Sequence, residues 1–147
     1  MRAEVSDKRE MLSSVLLDPD MFEMLDKFRS ECTLQGMSKS STTSYASAMR
    51  IFMFFLMSKH KTVFEVDKDV LRAYIDYLVN ERKVSYRTLG YNFSALAAFY
   101  EWLLFENRIK ENPVQAVRKR YLKRYKNGEG MQQEGRKLIS VEEMSML

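Results

Sequence analysis

Apolar side chains recur at helical spacing in five successive segments of this chain, and polar residues separate one segment from the next. Each segment follows a side chain that commonly caps a helix N-terminus: Asp18, Ser38, Asp67, Ser85 and Asn112. Only two prolines and five glycines occur in 147 residues, which favours long helices over a sheet with many turns. The pattern therefore predicts an all-α fold, a compact bundle of four to five helices.

The second segment shows how an apolar stripe predicts a buried helix face. It follows Ser38 and is expected to run to about Lys59, with a stripe made of Tyr45, Met49, Phe52, Phe55 and Leu56. Its richness in methionine is also typical of adaptable surfaces that bind partners. We favour core packing, because the stripe keeps strict helical spacing. Gly36 is expected to end the preceding helix.

Composition after the fifth segment changes, which predicts domain boundaries. Residues 1–126 form the helical domain, and the polar, glycine-containing stretch 127–135 reads as a flexible linker. Ser140 and Glu143 then form a capping box for a helix inside which the sequence stops. Residues 136–147 are therefore expected to be the truncated start of another domain.

The positive charge is concentrated in one place. The chain carries a net charge of +4, but residues 108–126 hold eight basic residues against one acid, Glu111, a net +7 that leaves −3 elsewhere. Such a segregated charge is typical of a surface that meets a polyanion.

The side chains that enzymes use do not form a recognisable catalytic or metal-binding set. The one histidine, His60, lies between lysines and is expected to be solvated, and the one cysteine, Cys32, lies on an apolar stripe and is expected in the core. Paired carboxylates occur at predicted helix starts, where capping explains them. We therefore expect no catalytic residue, no metal and no cofactor. The longest apolar run, Ile51 to Met57, is far below the roughly 18 residues of a membrane span. We expect no membrane contact and a cytoplasmic protein.

Two predicted helix starts are rich in hydroxyl and basic side chains. The residues concerned are Lys39, Ser41, Thr42 and Thr43 at the second helix, and Ser85, Arg87 and Thr88 at the fourth. Helix N-termini present free backbone N–H groups and partial positive charge, which suit phosphate oxygens. Capping alone explains one or two residues at each start, so both capping and phosphate contact stay open.

The outward side of the fourth helix carries side chains suited to reading bases. Arg87 and Tyr91, with Asn92 at the edge of that side, could reach base edges if the helix lay in a major groove. Gly90 costs roughly 1 kcal/mol against alanine in a helix interior. Close approach of another backbone, from protein or DNA, would explain why glycine stands there.

The basic run after Val117 is the third candidate element. It comprises Arg118, Lys119, Arg120, Lys123 and Arg124. A charge run is usually a solvated face, but this one has no interleaved acids, so its repulsion is costly unless an anion neutralises it. We favour contact with a DNA backbone.

Several motifs in order resemble the core-binding, SAM-like domain of tyrosine recombinases and phage integrases, in particular the Xer-like members. The second helix reads Ser38-x-x-Ser41-x-x-x-Tyr45-x-x-x-Met49-x-x-Phe52-x-x-Phe55-Leu56. The fourth reads Ser85-x-x-Thr88-Leu89, then Ser94-Ala95-Leu96-x-x-Phe99-Tyr100-x-Trp102-Leu103, and Asn112-Pro113 follows. Arg136-x-Leu138-x-Ser140-x-Glu142-Glu143 is similar to the lead-in to that family's catalytic domain. Ala97 and Ala98 depart from the pattern, because the family often has a basic residue there.

The resemblance implies one half of a clamp around double-stranded DNA, whose second and fourth helices face the major groove. It also implies contacts with other protomers of the same recombinase on DNA. The family's catalytic residues would lie in a domain outside this chain, so none of its eight tyrosines is assigned as the nucleophile. The alternative is a helical protein-interaction module that uses the basic fifth helix for an acidic partner or for self-association. RNA binding has little support, because no aromatic platform for single-stranded bases is apparent.

Overall fold

The computed structural model describes residues 17–122, which form five helices and, over that range, no strand. The helices are α1 (Pro19–Leu34), α2 (Lys39–Ser58), α3 (Lys68–Asp76), α4 (Tyr86–Phe105) and α5 (Val114–Val117). A 3-10 turn (Val63–Glu65) precedes α3, and π-helical turns extend α3 (Tyr77–Glu81) and α5 (Arg118–Leu122). The predicted all-α bundle is confirmed. The predicted linker and the start of a further domain lie outside the described residues.

Local capping chemistry explains where the helices begin. Four predicted capping side chains each accept a backbone N–H from the first turn of their helix: Asp18 from Met21 at 2.9 Å, Ser38 from Ser41 at 3.0 Å, Asp67 from Val70 at 3.0 Å and Ser85 from Thr88 at 3.1 Å. Asn112 accepts the N–H of Val114 at 2.9 Å, but the N-cap residue of α5 is Pro113, which makes no side-chain cap. Gly36 follows α1 with φ +90°, a conformation that glycine adopts without strain. The predicted starts of the first four helices and the end of the first helix are therefore confirmed, and the fifth helix begins one residue later than predicted.

The core lies between α2 and α4, with α1 and α3 closing its sides. The ring of Phe52 on α2 is fully buried, with centroids 4.8 Å from Tyr74 of α3 and 6.5 Å from Tyr100 of α4. Tyr100 also donates a hydrogen bond to the backbone oxygen of Val63 at 2.7 Å, so this buried phenol is satisfied. Met49 and Met53 are fully buried, which confirms that the methionines of α2 fill the core.

Cys32 lies in the core as predicted, 3% exposed on α1. Burial raises the pKa of its thiol, which reduces its reactivity because the thiolate is the nucleophile. His60 is exposed in the turn after α2, also as predicted. Within residues 17–122, no three His, Cys, Asp or Glu side chains are grouped so that they could hold a metal ion. Over the same residues, no helix is long and apolar enough to cross a membrane.

Helices α2 and α4 run in the same sense. Tyr45, near the start of α2, packs against Tyr91, near the start of α4, and further along Phe52 faces Tyr100. Because the paired positions advance together along both helices, their N-termini lie at the same end of the bundle. The two predicted hydroxyl-rich helix starts are thereby brought to one side of the molecule.

Candidate nucleic-acid interface

The interface begins at the N-termini of α2 and α4. Ser38 and Ser85 satisfy one backbone N–H each, and the Ser85 hydroxyl also donates to Thr88 Oγ1 at 3.1 Å. A capped helix still presents first-turn N–H groups that have no intrahelical partner. The predicted side chains Lys39, Ser41, Thr43, Ser85, Arg87 and Thr88 are exposed around these two ends. Two partial positive charges of the helix dipoles therefore add at one surface.

Two predicted contact residues, Thr42 and Asn92, are buried in this structure, and their contact with DNA stays a prediction. Thr42 and Asn92 are each only 6% exposed. Thr42 stands four residues before Ala46 and seven before Met49, so it shares the inward face of α2, and its Oγ1 has no partner within residues 17–122. Asn92 lies next to Phe93 and four residues before Leu96, on the inward side of α4.

The chain from α5 into its π-helical turn, Arg118–Leu122, carries basic residues back towards the N-terminal end of α4. At its start, Asn112 Nδ2 donates to the backbone oxygen of Ala97 at 3.2 Å. Further on, Arg118 Nη2 donates to Ser94 Oγ at 3.3 Å, one turn nearer the N-terminus of α4. The chain therefore directs its basic segment to the end where both hydroxyl-rich helix starts lie.

A second polar contact holds the end of this segment against α3. Arg72 Nε donates to the hydroxyl of Tyr121 at 2.8 Å, and Arg72 also pairs with Asp69 at 2.8 Å. The hydrogen bond from Arg72 lowers the pKa of Tyr121. Lys119 and Arg120 are exposed between the contacts made by Arg118 and Tyr121. Lys123 and Arg124, the other predicted members of this run, lie outside the described residues.

The cations of this surface lack carboxylate partners among residues 17–122. The ion pairs of that range join Lys27 to Glu23 and Arg72 to Asp69. Lys39, Arg87, Arg118, Lys119 and Arg120 form none there. An unpaired cluster of like charges repels itself, and a bound polyanion would relieve that repulsion.

The pattern missed two residues of this surface, Tyr45 and Ser94. Tyr45 was expected in the buried stripe but is half-buried, and its ring centroid lies 5.4 Å from that of the exposed Tyr91. Burial raises the pKa of the Tyr45 hydroxyl, and the neighbouring charge of Arg118 opposes that rise. Ser94 belongs to the family motif of the fourth helix, but only the position of α5 makes it the partner of Arg118. A tyrosine or a serine at these positions does not by itself indicate a nucleic-acid contact.

Gly90 has open space around it. A Cβ built at this position would meet nothing within 4 Å in the described part of the chain. Close approach of another protein backbone within residues 17–122 therefore does not explain this glycine, whereas the alternative, close approach of DNA, is untested.

Replacing Gly90 with alanine is expected to raise the free energy of unfolding by about 0.5–1 kcal/mol, because alanine favours a helix interior and the space accepts a methyl group. Chemical denaturation measures this change. A decrease in stability would show that the backbone around Gly90 does not tolerate a side chain.

Comparison with known proteins agrees with this architecture. Residues 24–110 match the family described as phage integrase, N-terminal SAM-like domain, and the chain belongs to that family. Among curated relatives, it is 26% identical over 77 residues to "Tyrosine recombinase XerC" of Leptospira interrogans, a match that covers 52% of this chain and 25% of that protein. It is 29% identical over 83 residues to "Tyrosine recombinase XerD" of Lacticaseibacillus casei, covering 56% of this chain and 28% of the relative. The match thus spans about a quarter of the length of each relative. No solved structure matches the chain.

Proposed function

We propose that this chain binds duplex DNA as the N-terminal clamp domain of a site-specific tyrosine recombinase and performs no catalysis itself. The observation that carries the proposal is the meeting of two serine-capped helix N-termini and an unpaired basic segment at one end of the bundle. Membership of the integrase N-terminal family supports the same role. The catalytic step would belong to a further domain of the parent recombinase.

The side chains divide into two groups by what they would contact. Backbone phosphates would be bound by donors at the helix starts and in the basic run: Lys39, Ser41, Thr43, Ser85, Thr88, Lys119 and Arg120, with Lys123 and Arg124 following in sequence. Such contacts set position and orientation but carry no direct sequence information. Arg87 and Tyr91, exposed on α4, would face the bases.

The test is fluorescence anisotropy of the 147-residue chain with a labelled duplex of random sequence, repeated from low to physiological salt. We expect a dissociation constant on the order of 10⁻⁴–10⁻⁶ M at physiological salt, with log K falling steeply and linearly against log salt. Four to six phosphate contacts would give a slope of about −4 to −5. Absence of binding at low salt would contradict the proposal.

A second candidate function is a protein-interaction module that associates with an acidic partner or with another copy. Three large apolar side chains are exposed to solvent, and a partner could cover them, which favours this second function. Phe22 is 52%, Leu34 82% and Phe105 75% exposed. The two functions are compatible, because protomers of the same recombinase bound to DNA could contact one another through this apolar surface. Sedimentation velocity at micromolar concentration without DNA tests for self-association. A dimer would support the second function, and a monomer would contradict self-association in the absence of DNA.

A further inference from the structure

The most distinctive group of side chains in this surface comes from three helices. Tyr45 of α2 and Tyr91 of α4 meet edge to face, with ring centroids 5.4 Å apart and planes inclined at 68°. Arg118, at the end of α5, reaches across to Ser94 of α4 and lies near enough to Tyr45 for its charge to act on the phenol. We call Tyr45, Tyr91 and Arg118 the tyrosine–arginine patch.

The side chains of the patch have hydrogen-bond donors and acceptors that bond to no other residue of the described range. Arg118 is half-buried, donates to Ser94 and has no carboxylate partner within residues 17–122. Neither the Tyr45 nor the Tyr91 hydroxyl makes a hydrogen bond in that range. The hydrogen bond to Ser94 uses one N–H of the Arg118 guanidinium, and its remaining N–H groups can donate to a ligand with acceptor atoms.

The patch lies about two helical turns from the helix starts. Tyr45 follows the Ser38 cap by seven residues and Tyr91 follows the Ser85 cap by six, which places them about 10.5 Å and about 9 Å along their helices. If the helix starts bind phosphates and α2 and α4 face the major groove, the patch faces the base edges, and the open space at Gly90 lets a duplex approach α4.

The geometry points to the tyrosine–arginine patch as the unit of this domain that determines sequence preference, with Arg118 contacting a guanine and the two phenols contacting the neighbouring base pair. This inference rests on the proposed DNA-binding function and reassigns Arg118 from the backbone to the bases. An arginine matches the O6 and N7 acceptors of guanine in the major groove. Ser94 is a positioning residue, because it fixes the guanidinium and reaches no base itself.

The test compares preference, not affinity alone. Duplexes bound by the 147-residue chain are selected from a randomised pool, and affinities are measured for the selected duplex and for a duplex with its preferred guanine–cytosine pair replaced by adenine–thymine. The wild-type chain is expected to prefer the selected duplex by about tenfold. R118K should reduce that ratio to below about twofold, because lysine keeps the charge but lacks the two-pronged geometry. The double variant Y45F/Y91F, which keeps both rings, should also reduce it.

K119A is the matched control, since Lys119 is the exposed neighbour assigned to the backbone. It should weaken binding to both duplexes by the same factor and leave their ratio intact. Circular dichroism melting of each variant verifies that the bundle is folded. An R118K variant that keeps the wild-type ratio would overturn the inference. So would a wild-type chain that binds random duplex but selects no guanine, and that outcome would leave the proposed function standing. A wild-type chain that binds no duplex would contradict both the inference and the proposed function.

Discussion

Replacing Lys119, Arg120 and Lys123 together with alanine is expected to weaken binding to random duplex by roughly 10²-fold at 0.1 M salt. Each phosphate contact that is lost removes a released counterion, so the slope of log K against log salt should become about 2.7 smaller in magnitude. The first two side chains are exposed between the Arg118–Ser94 and Arg72–Tyr121 contacts. Their removal keeps both of those hydrogen bonds and takes away one contact of Arg120 with the Tyr121 ring, at 5.8 Å from its centroid. Anisotropy titrations over a salt series measure both quantities.

A variant with the same change in net charge provides the control. Lys27, Lys59 and Lys61 lie on α1 and just beyond the C-terminal end of α2, and replacing them with alanine also removes three positive charges. If only total charge matters, both triple variants will lose affinity equally. The proposed interface predicts that the control keeps nearly the wild-type slope, and equal slopes in the two variants would refute it.

Replacing Phe52 with alanine is expected to lower the free energy of unfolding by about 3–5 kcal/mol. The ring is fully buried and contacts Tyr74 of α3 and Tyr100 of α4, so its loss leaves a cavity where three helices meet. That cost is a large part of the total of about 5–15 kcal/mol typical of a domain. Because Phe52 connects the two helices that carry the interface, DNA binding should fall with the folded fraction.

Phe105→Ala is the matched substitution on the surface. The same atoms are removed from a ring that is 75% exposed, so the free energy of unfolding should change by less than about 0.5 kcal/mol. Urea denaturation of both variants, followed by circular dichroism, gives the comparison. A Phe52 variant as stable as the Phe105 variant would show that the centre of the bundle lies elsewhere.

Helix number and helix starts were predictable because their causes are local. A capping side chain and the N–H that it binds are two or three residues apart, as in Ser38 with Ser41 and Asp67 with Val70. The apolar period likewise depends on residues within two turns. Capping residues and apolar periodicity can therefore both be read from the sequence alone. The family comparison over residues 24–110 agrees with the fold that they imply.

Individual site residues were harder to predict, because a residue at the edge of an apolar stripe can belong to either side. Asn92 stands one position from the exposed Tyr91 and is nevertheless buried, whereas Tyr45 stands in the stripe and is half-exposed. Thr42 stands in the middle of a run of polar residues, so the sequence pattern did not indicate that its side chain is buried. In each case exposure depends on how far the neighbouring helix extends over that turn, which the pattern along one helix does not contain.

The sequence by itself determined that the chain is an all-helical bundle, where its helices begin, and that its positive charge is concentrated after Val117. These properties follow from contacts within a few residues and from composition. Only the tertiary structure decided that α2 and α4 run in the same sense, that Arg118 reaches Ser94 across 24 positions of sequence and that Tyr45 meets Tyr91. Those pairings depend on the packing of separate helices, because side chains that are distant in sequence become neighbours only when the core between them closes.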